Sequence, residues 1–467
     1  MNNWRMRKPW SAADSVPAEH RLQATLSWPH LMALGVGAIV GTGILTLIGV
    51  GAAKAGPAVI LAFLIAGAIC ACAALAYAEM ATMMPAAGGA YTYAYIIIGE
   101  WAAWFVGWSL ILEYSLVVSA VAVGWSGYAA PLLQDGLGVP MQWMQGPELG
   151  GLINLPAIFI ILVVIALLLI GTKESASVNA LLVVVKLAAL LVFIVVVLPL
   201  FKAEHFQPFM PFGFIKTMGA DGVERGVMAS AAIIFFAFYG FDAIATAAEE
   251  TRNPDRDLAI GIVGSMLICV AIYIAVAVAA LGALDFHRFA DSPEPLALIL
   301  RELGRPNAAR WLAASAVIAL PTVVLAFFYG QSRIFFAMAR DGLLPRGLAK
   351  VSRRGMPVRT KLFTAVIVST IAGVFPLADI AALANAGTLL AFITVSVCML
   401  LLRHRQPEMV RKFSAPFAWV TGPMAIVGCL YLFISLPSTT QLYFLVWNLI
   451  GVAVYYVYGS RQTAKTG

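Results

Sequence analysis

The sequence predicts an all-α integral membrane protein of twelve transmembrane helices, and three observations carry that expectation. Of its 467 residues, 61% are hydrophobic and only 11% are charged, against about 45–50% and about 25% in soluble chains. The apolar residues gather into runs near the ~20 residues that a helix needs to cross a bilayer. Some runs, 258–284 and 362–378 among them, hold no Asp, Glu, Lys or Arg. A soluble bundle of so many apolar helices would have no polar sequence left to wrap it. This composition excludes a cytosolic enzyme, a secreted disulfide scaffold, a disordered regulator and a conventional nucleic-acid binder.

The elements follow in order. Residues 1–27 are polar, without an apolar signal segment or cleavage site, so they read as a retained cytoplasmic tail. Apolar runs lie at 30–53, 57–82, 99–130, 155–172 and 177–201, forming a group of five. A second group lies at 226–249, 258–284, 309–337, 361–377 and 379–402. Two more runs at 417–437 and 440–459 precede a short tail over 461–467. The core is expected over 28–402, as halves of about 28–201 and 226–402, with an added helix pair in 403–460. The five cysteines all fall inside apolar runs, with no metal-site spacing, and read as small core residues.

Charge orients the runs. The formal charge of +7 comes from short basic clusters between apolar runs, not from one basic face. With both termini on one side, that side collects 20 of the 30 Lys and Arg residues, seven of them between Arg340 and Lys361. The opposite side collects eight, and Lys186 and Arg333 fall within spans. Basic residues concentrate on the cytoplasmic face. Both termini are therefore expected in the cytoplasm, with the chain in a plasma (inner) membrane.

Glycine marks two spans as different. The first reads Gly41-Thr42-Gly43-Ile44 after Gly35 and Gly37; the sixth reads Phe238-Tyr239-Gly240-Phe241-Asp242. Interrupted helices five spans apart, entering from opposite sides, are what an inverted repeat of spans 1–5 and 6–10 would show. Glycine also serves plain helix packing, and that reading stays open beside it. Each break falls roughly 15 Å into its span, near the midplane. Broken backbone at that depth needs a partner or a cavity.

Helix direction then gives chemistry. The outer half of span 1 begins at its break, so the amides of Thr42, Gly43 and Ile44 present partial positive charge to a carboxylate. The outer half of span 6 ends at its break, so the carbonyls of Phe236, Ala237 and Phe238 present partial negative charge to an ammonium. Side by side they describe a site for a zwitterion, with Val40, Gly41, Tyr239 and Gly240 completing it. Asp242 is placed to N-cap the inner half of span 6, or else to touch the substrate.

The chain resembles the amino acid-polyamine-organocation superfamily, close to its cationic amino acid transporter branch. The resemblance rests on residues 35–45 (GVGAIVGTGIL), 235–262 (FFAFYGFDAIATAAEETRNPDRDLAIGI), 330–345 (GQSRIFFAMARDGLLP), 385–392 (NAGTLLAF) and 430–435. It implies the leucine-transporter fold with a 5+5 inverted repeat and unwound helices 1 and 6, alternating access, and an L-amino acid held at the two breaks. It also implies that Phe236 is an aromatic lid over the site, where simple core packing is the alternative. Two departures bear on the pocket: Tyr239 stands where the branch usually has a smaller aliphatic residue, and Pro321 is expected to interrupt span 8.

Ionisable residues at membrane depth are functional candidates by default. Lys186, among valines and leucines near the middle of span 5, suits a proton carrier because a buried ammonium can give up its charge. The resemblance adds that a lysine here stands where sodium-coupled relatives hold a cation. The alternative is a charged tie to carbonyls of span 1. Glu113 in span 3 has three readings: a protein ion pair, a proton relay, or a substrate contact. Glu79 and Arg333 are expected to snorkel or to pair at helix ends, and Glu249 and Glu250 to oppose the dipole of span 6 unless a cation neutralises them.

If Glu113 balances Lys186, no acid is left for a cationic side chain, which favours neutral substrates of alanine to leucine size over arginine or lysine; if Lys186 is neutral when substrate binds, Glu113 is free and the argument reverses. An intramembrane enzyme is the contrasting class. Gly124-Trp125-Ser126-Gly127 has the GxSG form of a serine nucleophile, yet all five histidines lie in tails, loops or helix ends. The expected function is therefore secondary amino acid transport, proton-coupled or by exchange, or amino acid sensing without transport. Protons and bilayer lipid are its expected partners, with no nucleic acid, no cofactor and no metal.

Overall fold

The computed structural model describes residues 26–85, 88–170, 176–248, 251–345 and 358–459. Most of the two predicted tails, Glu249, Glu250 and the side chain of Arg333 lie outside the described residues. The first predicted span is three consecutive helices, α1 (Trp28–Ile39), α2 (Thr42–Leu45) and α3 (Leu47–Ala55). Gly56, at φ 62, then turns the chain into α4 (Val59–Met83). A short helix that the sequence reading lacks, α5 (Ala90–Ile97), leads into α6 (Glu100–Leu137), which reaches beyond its predicted end. α7 (Leu155–Ile170) and α8 (Ala176–Val197) close the first half.

The connection to the second half carries a two-stranded antiparallel hairpin, β1 (Thr217–Met218) with β2 (Glu224–Arg225), a small departure from the all-α expectation. α9 (Val227–Ile234), a 3-10 turn at Phe235–Ala237 and α10 (Asp242–Thr246) form the sixth predicted span. There follow α11 (Pro254–Ala283), α12 (Pro295–Glu302), α13 (Pro306–Arg340), α14 (Val358–Val374), α15 (Leu377–Arg405), α16 (Ala418–Ser435) and α17 (Ser438–Val454). Among the described residues ten helical stretches are long and apolar enough to cross a membrane. The predicted spans at 155–172 and 361–377 correspond to the shorter apolar helices Leu155–Leu169 and Lys361–Val374.

The long α6 runs through the bundle against α13 and α15, while α11 packs on α4 and α1. In lipid no hydrophobic force drives one helix onto another, so close packing and hydrogen bonds do that work. Indoles supply several. Trp104 Nε1 donates to the Gly451 carbonyl and Trp108 Nε1 to the Trp447 carbonyl, each at 2.9 Å, tying α17 to α6. Outward faces stay apolar, as at Leu181, Val184, Phe363 and Val366, and suit contact with lipid chains.

One expectation needs correction here. Pro321 does not interrupt its span: α13 is continuous through it. Proline removes the N–H that would bond the carbonyl four residues earlier, and Trp125 Nε1 donates to that carbonyl, Val317 O, at 2.8 Å. Trp125→Phe is expected to strand the carbonyl and lower stability by about 1–3 kcal/mol. Thermal melting in detergent that leaves the midpoint unchanged would refute that assignment.

Glu79, expected to snorkel or to pair, is fully buried and paired. Its carboxylate accepts from Arg403 Nε at 2.9 Å and from the Ala415 amide at 2.8 Å, with Arg411 Nε at 3.3 Å. Two guanidiniums and an amide offset the loss of hydration, so the acid stays where its helix carries it.

Candidate functional site

Helical bonding in the first span lapses after the Val40 amide, which donates to Val36 O at 2.8 Å. It resumes with the Leu45 amide on Gly41 O at 3.3 Å. The lapse frees carbonyls that an unbroken helix would pair, and side chains from other helices take them up. Lys186 Nζ donates to Gly37 O at 2.9 Å and the Tyr273 hydroxyl to Ile39 O at 2.7 Å. At the far end of the one-turn α2, the Tyr128 hydroxyl donates to Leu45 O at 2.6 Å. Each unpaired group would otherwise cost several kcal/mol at this depth.

The sixth span breaks after the 3-10 turn. Gly240 sits at φ 123, a conformation that a side chain rarely adopts. A Cβ there would also lie 3.0 Å from the Ala38 carbonyl carbon, so the two breaks touch backbone to backbone. Asn385 Nδ2 on α15 donates to Ala232 O at 2.7 Å and to Ile233 O at 3.2 Å, holding the end of α9. Beyond it, the carbonyls of Phe236, Ala237 and Phe238 accept no backbone hydrogen bond among the described residues.

Asp242 is not the N-cap of α10 but its first residue. Its Oδ1 accepts from the Gly240 amide at 3.1 Å and its Oδ2 from the Tyr114 hydroxyl at 3.1 Å. It therefore steadies the break itself and ties it to α6. A short helix that begins one residue early leaves its aspartate to pair with the loop behind it.

A small cavity lies where the breaks meet. Gly41, Thr42, Gly43 and Phe236 line it from the breaks, with Ala38 and Ile39 below them. Tyr239, Val117 and Val121 of α6, and Val323 and Phe327 of α13 complete its walls. Gly43 faces Ala237 so closely that any Cβ would fall on the Ala237 Cα. The Phe236 ring lies 4.9 Å from that of Tyr239, edge to face. The Thr42 and Tyr239 hydroxyls are buried without a hydrogen-bond partner among the described residues.

The structure thus brings five predicted residues to the cavity wall, Gly41, Thr42, Gly43, Phe236 and Tyr239, and sends others elsewhere. Val40 turns to the opposite side of the break, into a second cavity beside Lys186. Phe238 packs on Tyr273 at 5.3 Å and on Phe63 at 6.0 Å. Ile44 is wholly buried in the core, Ala237 backs Gly43, and Gly240 backs α1. Val117, Val121, Val323 and Phe327 were not among the predicted site residues. Their i, i+4 spacing on facing helices was the available signal.

Glu113 and Lys186 do not pair. Lys186 lies between Gly37 O and the Thr322 hydroxyl, the latter at 3.3 Å. Both carboxylate oxygens of Glu113 are buried without a hydrogen-bond partner among the described residues. Its side chain packs instead against Gly387 of α15, and neither cavity has it in its wall. The structure therefore does not bring Glu113 to Lys186, the pairing on which one arm of the charge count depended, because α6 turns that side chain toward α15 rather than α8. Ser126 of the GxSG run donates to Asn154 Oδ1 at 2.6 Å, an amide that cannot act as a base.

A family model described as amino acid permease matches residues 26–458. The branched-chain amino acid permease BcaP of Bacillus subtilis (strain 168) is 42% identical over 454 residues, covering 96% of this chain and 95% of that protein. The methylthioribose transporter of the same organism is 38% identical over 462 residues, 98% of each chain. Cationic amino acid transporter 2, vacuolar, of Arabidopsis thaliana is 37% identical over 407 residues, 86% of this chain and 63% of its own length.

Proposed function

The chain belongs to the amino acid permease family of membrane transporters, and from that premise we propose that it carries neutral L-amino acids by proton-coupled alternating access. The proposal includes twelve spans in a 5+5 inverted repeat with unwound helices 1 and 6, two added helices, and both termini in the cytoplasm. The substrate carboxylate lies against the amides of Thr42, Gly43 and Ile44, and its ammonium against the carbonyls of Phe236, Ala237 and Phe238. Phe236 closes over it. Lys186 carries the coupling proton.

One observation supports the substrate class best: the walls beyond the breaks are Val117, Val121, Val323, Phe327 and Tyr239, with no acidic side chain in the lining. A lysine or arginine head group would lose its hydration there without a counter-charge. An aliphatic side chain loses nothing and fills the space. The name of the Bacillus relative BcaP points the same way.

Counterflow of labelled amino acid in proteoliposomes tests the proposal. Leucine-, valine- and alanine-sized substrates are expected to exchange, and arginine in excess to leave that exchange intact. Saturable arginine transport would overturn the neutral class, and binding without counterflow would indicate a receptor. A thioether sugar is a second reading, favoured by full-length likeness to the methylthioribose transporter and by the two unpaired hydroxyls of Thr42 and Tyr239. Methylthioribose in the same panel separates it. Phe236→Ala is expected to slow turnover in this assay, and an unchanged rate would leave Phe236 a packing residue.

A further inference from the structure

We propose that Gly124 of α6 is a positioning residue for the substrate site: its missing side chain forms the seat that holds Thr42, and with it the first break, in place. This depends on the reading of the two breaks as the place where substrate binds, and adds to it a residue outside the cavity wall. Val117 and Val121 of α6 line the cavity, and Gly124, three residues beyond Val121, continues the same helix face. Glycine weakens a helix interior relative to alanine, so its place within the 38-residue α6 asks for a reason.

The reason is Thr42. A Cβ built on Gly124 would fall on Thr42 Cγ2, and would lie 2.6 Å from its Oγ1 and 3.0 Å from its Cβ. Three atoms of one side chain thus fill the place of the side chain that α6 lacks. Gly107 of the same helix differs, because a Cβ there first meets the thioether of Met338, a flexible end that can swing aside. Thr42 is branched at Cβ, stiff about its first side-chain bond, and packed too close for a change of rotamer to clear the contact.

Neither partner is free to retreat. α2 lies between α6 and the 3-10 turn of the sixth span, where Gly43 already abuts Ala237. The Tyr128 hydroxyl holds the end of α2 through Leu45 O at 2.6 Å. α6 is pinned at the same turn, since Trp125 Nε1 donates to Val317 O on α13 at 2.8 Å and the Ser126 hydroxyl to Asn154 Oδ1, just before α7, at 2.6 Å. A side chain at position 124 therefore displaces Thr42, and with it the cavity wall that Gly41, Thr42 and Gly43 form. The GxSG run serves the substrate site through its first glycine and not through its serine.

The test is a double-mutant cycle read as affinity for alanine and leucine in purified, monodisperse protein. Gly124→Ala is expected to weaken binding about tenfold or more. The same change added to Thr42→Ala, which removes the opposing atoms, is expected to cost less than about threefold relative to Thr42→Ala alone. Thr42→Ser, which keeps the hydroxyl, is the background if Thr42→Ala binds nothing. A fold merely loosened at α6 would lower the melting midpoint of the free protein and leave the affinity of folded molecules unchanged. Wild-type affinity in Gly124→Ala, or an equal loss in both backgrounds, overturns the proposal. If Gly124→Ala alone does not fold, the double variant decides: it is expected to fold and to bind as its Thr42 parent does, and failure in either respect overturns the seat. Gly43→Val keeps the two readings apart. If that variant binds normally, the breaks are not the substrate site and the proposal falls with them; if it binds nothing while Gly124→Ala binds as wild type, only the role of Gly124 is wrong.

Discussion

Replacing Gly43 by valine is expected to abolish amino acid binding while the protein remains folded and monodisperse. A Cβ at this position falls on the Cα of Ala237, so one break must move away from the other. That movement separates the amides proposed for the carboxylate from the carbonyls proposed for the ammonium. Hydrogen bonds to charged groups contribute about 1.5–3 kcal/mol each. Losing one or two of them weakens affinity on the order of 100-fold or more. Binding measured by thermal shift or scintillation proximity gives the answer. Undiminished affinity, or tight binding of amines that lack a carboxylate, would remove this site.

Lys186→Ala is expected to eliminate uptake driven by a pH gradient, with a loss of about tenfold or more, while exchange across the membrane continues. A structural tie makes a different forecast, because Lys186 also pairs the Gly37 carbonyl that the helix break leaves open. Lys186→Arg separates the two. Arginine keeps a charge and a donor but does not release its proton in proteins. A proton carrier therefore fails in both variants, whereas a tie fails in the alanine variant and survives in the arginine one. Gradient-driven uptake in Lys186→Arg at the wild-type rate would overturn the coupling role, as would uptake by the wild type that follows sodium.

The two lesions should differ in kind. Gly43→Val acts on recognition, so every substrate is affected in both uptake and counterflow. Lys186→Ala acts on coupling, so counterflow remains as the internal control. A variant showing the opposite pattern would place the proton step at the breaks instead.

Membrane class was legible from the amino acids alone, because the free energy of moving a side chain into hydrocarbon is a local property that adds along a run. The two breaks were legible for a related reason. Gly43 and Gly240 mark backbone that cannot carry side chains at close approach, and glycine has no substitute there. The helix ends facing the cavity follow from chain direction, so the proposed polarity of the site needed no coordinates either.

Tertiary structure decided the partners. The carbonyls of Gly37 and Ile39 are met by side chains 149 and 234 residues away, and that of Val317 by an indole 192 residues away. Nothing local in the sequence encodes those meetings. They are why α13 stays continuous at Pro321, why Lys186 joins α1 rather than Glu113, and why Val40 faces a different space from Gly41. A helix rotates about 100° per residue, so adjacent residues of one run face different neighbours. Which neighbour each meets is set by how the helices pack, and packing selects the arrangement that leaves the fewest polar groups unpaired in lipid.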